Sequence, residues 1–347
     1  MNTKATGTDF ANLPPLGPDP LFAVMEAFQH DTNPHKMDLG VGVYRNAEGR
    51  TPVMAAIRSA QNQLSKLETT RTYLGPMGWP GFTDAAATLM FGAQFADSES
   101  ARLATVPAVG GWGALRLAGE LIQRARPNAT VWLSDPTWLN HAPLFESCGL
   151  KIAVYPYYSA AGRELERDAM MRRLGQVSMG DVVVLHGCCH NPTGEDLTPH
   201  DWEAIATMLK DRDATPLIDI AYHGFAGDLD TDLSGARRLA EQMSEAIVCY
   251  SFSKNMGLYR DRVGAVSMLC ESQQAAFTAR AHLIDIARRH YFMPPTFGEA
   301  LAFLTLSTPK LYEAWSDELL RMRERVDLIR NMCADAFRLR INDDSFE

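Results

Sequence analysis

Lys254 and the polar residues around it carry the chemistry this chain is equipped to perform. Reading forward, His186-Gly-Cys-Cys-His-Asn191-Pro-Thr-Gly194 is followed by Asp219-Ile-Ala-Tyr222, then by Ser251-Phe-Ser253-Lys254-Asn255 and Arg262-Val-Gly264. These groups sit at the ends of short apolar runs that read as buried strands. A lysine, an aspartate, a tyrosine, an asparagine and a phosphate-sized Ser/Arg set at strand ends is what a pyridoxal phosphate site requires. The lysine would hold the cofactor as a Schiff base.

Each residue also has a plainer reading when taken singly. Lys254 reads as a surface lysine in a loop, but small and apolar neighbours would desolvate it, and desolvation lowers an amine pKa as a Schiff-base nucleophile needs. Asp219 reads as a helix-capping aspartate. It also ends the run Thr-Pro-Leu-Ile-Asp, at the carboxyl edge where open α/β sheets bind ligands, and there a protonated pyridine nitrogen would be its partner. Tyr222 and the Asn191 amide are structural residues or donors to the ring hydroxyl oxygen. Trp138 packs, or stacks on a flat heteroaromatic ring.

The phosphate end needs donors and a cation. Gly110-Gly-Trp112-Gly113 opens a helix expected over Ala114–Arg126, whose first N–H groups and dipole suit an anion; a glycine cluster there is equally a simple turn. Ser251, Ser253 and Arg262 add to the anion reading, since arginine binds phosphate bidentately. His186-Gly-Cys-Cys-His190 suggests zinc. Four candidate ligands within five residues cannot all reach one tetrahedral ion, and no second Cys/His cluster follows, so no metal site is expected.

Strands that position these groups are expected at Thr130–Leu133, Ile152–Tyr155, Val182–His186, Pro216–Asp219, Ala246–Ser251 and Val263–Leu269. Most gaps admit a crossover helix, such as Gly113–Arg126 and Pro199–Lys210; the gap from Ser251 to Val263 is too short for one. The alternation predicts an α/β fold with a mainly parallel sheet covered on both faces. Thr308-Pro309 then opens a long amphipathic helix. Its stripe of Leu311, Trp315, Leu319, Met322, Val326, Ile329 and Cys333 reads as structural packing.

At 347 residues, 46% hydrophobic and a net charge of −9, the chain can bury a large core and is a poor match for nucleic acid. It has no polybasic patch or span-length apolar run, so no membrane association is expected. The beginning Met1–Phe10 lacks an apolar signal core, and the six cysteines follow no framework spacing. A cytoplasmic protein with reduced thiols is expected.

From about Pro18 onward the chain resembles the class I aminotransferases of the aspartate/aromatic branch. The resemblance rests on Gly40-Val-Gly42-Val-Tyr44, Tyr73-Leu-Gly75, Asp135-Pro-Thr-Trp138-Leu-Asn-His141, and the motifs around Asn191, Asp219, Lys254 and Arg262. It implies a fold-type I pyridoxal phosphate-dependent transferase working as a homodimer with shared active sites. Residues 46–305 would form the large cofactor domain. Residues 1–45 would be an arm and part of a smaller α+β domain, and 306–347 its long helix and truncated remainder.

The resemblance also implies roles. Lys254 is the Schiff-base lysine and the acid/base at Cα, and Asp219, backed by His141, is the ring-nitrogen partner. Asn191 and Tyr222 bind the ring oxygen, and Trp138 stacks. Ser251, Ser253, Arg262 and Gly111 contact phosphate, with Tyr73 reaching the neighbouring subunit's phosphate. Gly42, Trp138, Asn191 and Arg288 face the substrate, with Arg288 lent across the dimer to a distal carboxylate.

Two departures qualify this pattern. Trp112 stands where the family has a small hydroxyl residue, and the chain stops at Ile341-Asn-Asp-Asp-Ser-Phe-Glu347, before the arginine that grips the substrate α-carboxylate. The expected activity is transamination between aspartate, glutamate or an aromatic amino acid and a 2-oxo acid. The alternative is a truncated homologue that binds cofactor and dimerises with little or no turnover. β-Elimination or decarboxylation on the same cofactor is set aside by Arg288 and the motif match.

Overall fold

The computed structural model describes residues 13–17, 20–38, 40 and 42–341; Val41 and the expectations on Met1–Phe10 and 342–347 lie outside them. Seven strands form one mixed sheet: β1 (Leu103–Val109), β2 (Thr130–Asp135), β3 (Lys151–Pro156), β6 (Val182–His186), β7 (Thr215–Ile220), β8 (Ala246–Ser251) and β9 (Val263–Leu269). Two short strands, β4 (Tyr158–Ser159) and β5 (Glu164–Leu165), make a separate hairpin. The sheet order is β1-β9-β8-β7-β6-β2-β3. Neighbours from β8 to β3 are parallel, whereas β9 runs antiparallel to both β8 and β1.

Continuous apolar runs suit strands covered on both faces, and side-chain alternation divides them between two cores. Val182, Val184, Leu217, Ile247 and Cys249 pack with Leu115 and Ile122 of the helix Gly110–Ala125 and with Leu283 and Ile286 of the helix Gln273–Tyr291. Val183, Leu185, Ile218, Ile220 and Val248 face the opposite layer, which includes Ile205 and Leu209 of the helix Pro199–Arg212. The Pro199 helix starts in a full capping box between Thr198 and Asp201.

Every strand expected from the sequence forms, with ends moved by up to two residues. β1 lies outside those expectations, and it carries Pro107, a residue that argues against a strand inside a sheet. Among the described residues β1 is an edge strand with β9 as its only neighbour, so the missing N–H breaks no ladder on its open side. The short gap after Ser251 is explained as well: β8 and β9 are antiparallel and need no crossover helix.

The helix Pro309–Ile341 packs on the helices Ala55–Leu67 and Thr296–Ser307 through Leu311, Trp315, Leu319 and Met322. Its expected stripe ends there: Ile329 and Cys333 are exposed. Among the described residues outside 46–305, the expected smaller α+β part is represented by helices alone. No described helix is long and apolar enough to cross a membrane.

Candidate active site

Strand direction and register gather the polar groups at one edge of the sheet. Cα pairing sets His186 beside Asp219, Asp219 beside Cys249, Ser251 beside Gly264, and Val109 beside Val263. The carboxyl ends of β1, β2, β6, β7 and β8 therefore open onto the crevice that the start of β9 also reaches. Asp219 and Ser251 share the parity of Leu217, Ile247 and Cys249, which turns them toward the layer of the helices Gly110–Ala125 and His141–Ser147.

Asp219 is almost fully buried, and the wholly buried His141 donates from Nε2 to its Oδ2 over 3.2 Å. Behind it, His141 Nδ1 meets Thr137 Oγ1 at 2.8 Å, Thr137 Oγ1 meets His186 Nε2 at 3.2 Å, and the Asn191 N–H points to His186 Nδ1 at 3.5 Å. One set of proton positions satisfies this chain: His186 accepts at Nδ1 and donates at Nε2, and the Thr137 hydroxyl donates to His141. Burial, then the neighbouring His190 and His141, hold the His186 pKa well below the ordinary value, so it serves as a neutral relay. Burial also lowers His190 to about 4, where it lies stacked on Tyr157 with ring centroids 3.8 Å apart and bonded to Ser134 Oγ at 3.0 Å.

Lys254 lies in the β8–β9 loop, its Nζ 4.9 Å from the centre of the Tyr222 ring. Burial lowers its pKa, the nearby Asp219 charge opposes that shift, and Arg262 adds to it. The Tyr222 hydroxyl is pushed up, first by burial and then by Asp219. A buried amine with a depressed pKa beside a buried carboxylate that keeps unspent acceptor sites is a donor set suited to pyridoxal phosphate.

The phosphate end fits too. The glycine cluster is the first turn of the 16-residue helix Gly110–Ala125, rather than a turn preceding it. Gly110 has φ +68°, and a Cβ there would lie 2.5 Å from the Arg262 guanidinium; a Cβ on Gly111 would lie 3.0 Å from that of Ser251. Only glycine lets this helix start lie so close to both partners. Arg262, itself in the left-handed region at φ 55°, donates to the Tyr259 carbonyl at 2.9 Å and to Ser253 Oγ at 3.4 Å. Ser251 Oγ accepts from the Ser253 N–H at 3.3 Å. Trp112 projects outward, 44% exposed, with its ring edge-on to Trp138, which is in turn edge-on to His141.

A cavity of about 330 Å³ opens beside Lys254, lined by Gly42, Asn191 and Tyr222 among others. Trp138 is not part of its wall. Tyr73 and Arg288 are exposed and also lie outside it; Tyr73 rests edge-on against Phe292. Sequence reasoning did not find Thr137 or His186 as links behind Asp219, nor Val326 and Arg330 in the cavity wall. In sequence the His186/His190 spacing reads as a metal pattern, not as a proton relay. No group able to hold a metal ion occurs among the described residues.

A family model for aminotransferase class I and II matches residues 34–343. The chain is 40% identical over 314 residues to an aspartate aminotransferase of Haemophilus influenzae, covering 90% of this chain and 79% of that one. It is 39% identical over 335 residues to an aromatic-amino-acid aminotransferase of Paracoccus denitrificans, covering 96% and 84%. The aromatic-amino-acid aminotransferase of Burkholderia pseudomallei, solved covalently bound to pyridoxal phosphate, superposes with a TM-score of 0.94 at 35% identity, covering 98% of this chain and 86% of that one. Mixed sheet, edge crevice and lysine loop define a fold-type I transferase. The chain belongs to the class I and II aminotransferases.

Proposed function

We propose that this aminotransferase moves an amino group between aspartate, glutamate or an aromatic amino acid and a 2-oxo acid. The observation that carries the reading is the pairing of a desolvated Lys254 amine with a buried, His141-backed Asp219 on one crevice edge. The cofactor is pyridoxal 5′-phosphate. When bound, it supplies the electron-withdrawing ring that accepts the electron pair released at the substrate Cα.

The chain's own residues do the rest. Lys254 Nζ would hold the cofactor covalently, and as a free amine it is the base that would take the proton from the substrate Cα. Asp219 would keep a proton on the ring nitrogen, with His141 holding the carboxylate in place. Asn191 and Tyr222 would bond the ring oxygen, and Trp138 would stack on the ring. Ser251, Ser253, Arg262 and the N–H groups at Gly111 would hold the phosphate, with Trp112 at their margin. Gly42 and Asn191 bound the substrate space.

The outward-facing Tyr73 and Arg288 suit a homodimer in which each completes the neighbour's site, Arg288 meeting a distal carboxylate. Residues 46–305 would act as the cofactor-binding part, flanked by 1–45 and 306–347. The six unpaired cysteines suit a cytoplasmic setting.

The test is a visible spectrum of the chain loaded with pyridoxal phosphate, then mixed with glutamate or tyrosine. A cofactor band that shifts with the amino acid, and is absent from Lys254→Ala, supports transamination. A band that never shifts supports the cofactor-binding homologue with little turnover. No band at all would sink the reading.

A further inference from the structure

Tyr222 and Lys254 both line the cavity, with Lys254 Nζ 4.9 Å from the centre of the Tyr222 ring. They reach it from different loops, one after β7 and one after β8. Each is followed at once by a buried polar residue that the chemistry above does not use, His223 and Asn255. One hydroxyl joins the two. Tyr250, on β8 and paired with Ile220 of β7, is wholly buried, and its Oη lies 2.7 Å from His223 Nδ1 and 2.7 Å from Asn255 Nδ2. Strand alternation places it there: Asp219 and Ser251 turn toward the helix Gly110–Ala125, so their neighbours Ile220 and Tyr250 turn to the opposite layer.

The partners fix every proton in this bridge. The Leu229 carbonyl can only accept, so His223 donates to it from Nε2 over 2.6 Å. Burial holds the His223 pKa down at about 4, which leaves the ring neutral and Nδ1 bare. Nδ1 then accepts from the Tyr250 hydroxyl, and the hydroxyl oxygen accepts from the Asn255 amide. Asn255 Oδ1 has no partner, so the bond to Tyr250 is the only one its side chain makes among the described residues. A buried amide unpaired at both ends is costly. Without the hydroxyl, Asn255 must shift to find a partner, and it is bonded directly to Lys254.

We propose that Tyr250 is a positioning residue whose hydroxyl, by bridging His223 to Asn255, fixes Tyr222 and Lys254 against each other, a role that rests on the function proposed above. The bridge acts on the residue after each of them, from behind the cavity, and touches neither cofactor nor substrate space. Chemistry at the cavity is sensitive to such placement, because a reacting group displaced by about 1 Å costs on the order of 10²-fold in rate.

The test uses the full chain loaded with pyridoxal phosphate, as wild type, Tyr250→Phe, His223→Leu and the double variant. Tyr250→Phe keeps the ring that packs on Phe252, with centroids 4.7 Å apart, and removes only the hydroxyl. It is expected to lower kcat for glutamate about 10-fold with KM little changed, and to raise Kd for pyridoxal phosphate about 3- to 10-fold. The circular dichroism of the cofactor band, which reports how rigidly the ring is held, should weaken. The double variant should lose no more than the worse single one, since both changes break one bridge. Losses that multiply overturn the proposal. So does a Tyr250→Phe chain that unfolds at lower urea yet keeps the wild-type kcat, Kd and dichroism, the mark of a merely structural bond. A wild-type chain that binds cofactor but turns over no amino acid overturns the transamination reading instead, and Kd and dichroism then decide Tyr250. If wild type takes up no cofactor, hydrogen exchange of the unloaded chain decides. Faster exchange in Tyr250→Phe at the segments of Tyr222 and Lys254 together supports the bridge, and unchanged exchange overturns it.

Discussion

Trp315 and Asn255, 60 positions apart, are joined by a 2.7 Å hydrogen bond from the indole Nε1 to the backbone carbonyl. The bond ties the long helix to the residue that follows Lys254. Trp315→Phe would keep most of the packing and leave that carbonyl without its indole donor. The expected loss is about 1–3 kcal/mol of stability, read as a lower urea midpoint with unchanged slope. Because the freed carbonyl belongs to the lysine loop, Kd for pyridoxal phosphate should rise in the same variant. A stability loss with no change in cofactor affinity would show that the helix does not brace the loop.

Glu299 yields a second prediction. It is buried on the helix Thr296–Ser307, where Oε2 accepts from the Trp79 N–H at 2.7 Å and Oε1 has no partner. Burial pushes its pKa up to about 8. An acid with a raised folded pKa binds more protons folded than unfolded, so stability falls as pH rises from about 4.5 to 8. Glu299→Gln keeps an acceptor for Trp79 and removes the ionisation. It should be more stable than wild type at pH 8, by up to an order-of-magnitude ceiling of about 4 kcal/mol, and nearly equal at pH 4.5. Denaturant melts at the two pH values check this; equal stability at pH 8 would show that Glu299 carries no buried charge.

His223 works in the opposite direction. Its Nε2 donates to the Leu229 carbonyl at 2.6 Å, and its Nδ1 accepts from the Tyr250 hydroxyl at 2.7 Å, which in turn accepts from Asn255 Nδ2. Burial lowers its pKa to about 4. The unfolded chain therefore binds the proton first, and stability should drop as pH falls from about 6.5 to 4, by about 3 kcal/mol from this residue. His223→Gln should be less stable at pH 7 and show a flatter slope across that window in denaturant melts. An unchanged slope would assign the acid sensitivity to another group, His190 first.

Much of this architecture was legible in the residues, for identifiable reasons. The central strands announce themselves because both faces are buried and the runs are uniformly apolar. Asp219, Ser251 and Lys254 were recognisable because a parallel sheet places strand-end residues on one edge whatever their distance in sequence. Long-range partners escaped notice. Thr137, His186 and Asn191 line up behind Asp219 only once β6 and β7 are in register, and no local pattern encodes a hydrogen bond across 49 or 60 positions. Val326 and Arg330 escaped notice as cavity-lining residues for a different reason. Polar residues interrupt an amphipathic stripe wherever it leaves the core, and that point is set by the helix's tertiary contacts.

Asp219 and Lys254 are coupled through charge, and Asp219→Asn separates the two roles of the carboxylate. The amide occupies the same space, and His141 can still donate to its oxygen, so the fold should hold. With Asp219 as the proposed partner of the ring nitrogen, the amide would not keep that proton, and turnover should fall by on the order of 10²- to 10³-fold, the usual range when one preorganised electrostatic contact is removed. A second effect is independent of turnover. The Asp219 charge raises the Lys254 pKa against the stronger lowering by burial. Its removal leaves burial and Arg262, which both lower it, so the amine should deprotonate at lower pH than in wild type. The rate at which unloaded protein takes up pyridoxal phosphate, followed by absorbance across pH, should have its midpoint shifted to lower pH in Asp219→Asn. A shift to higher pH would mean that Asp219 does not stabilise the lysine's charged form.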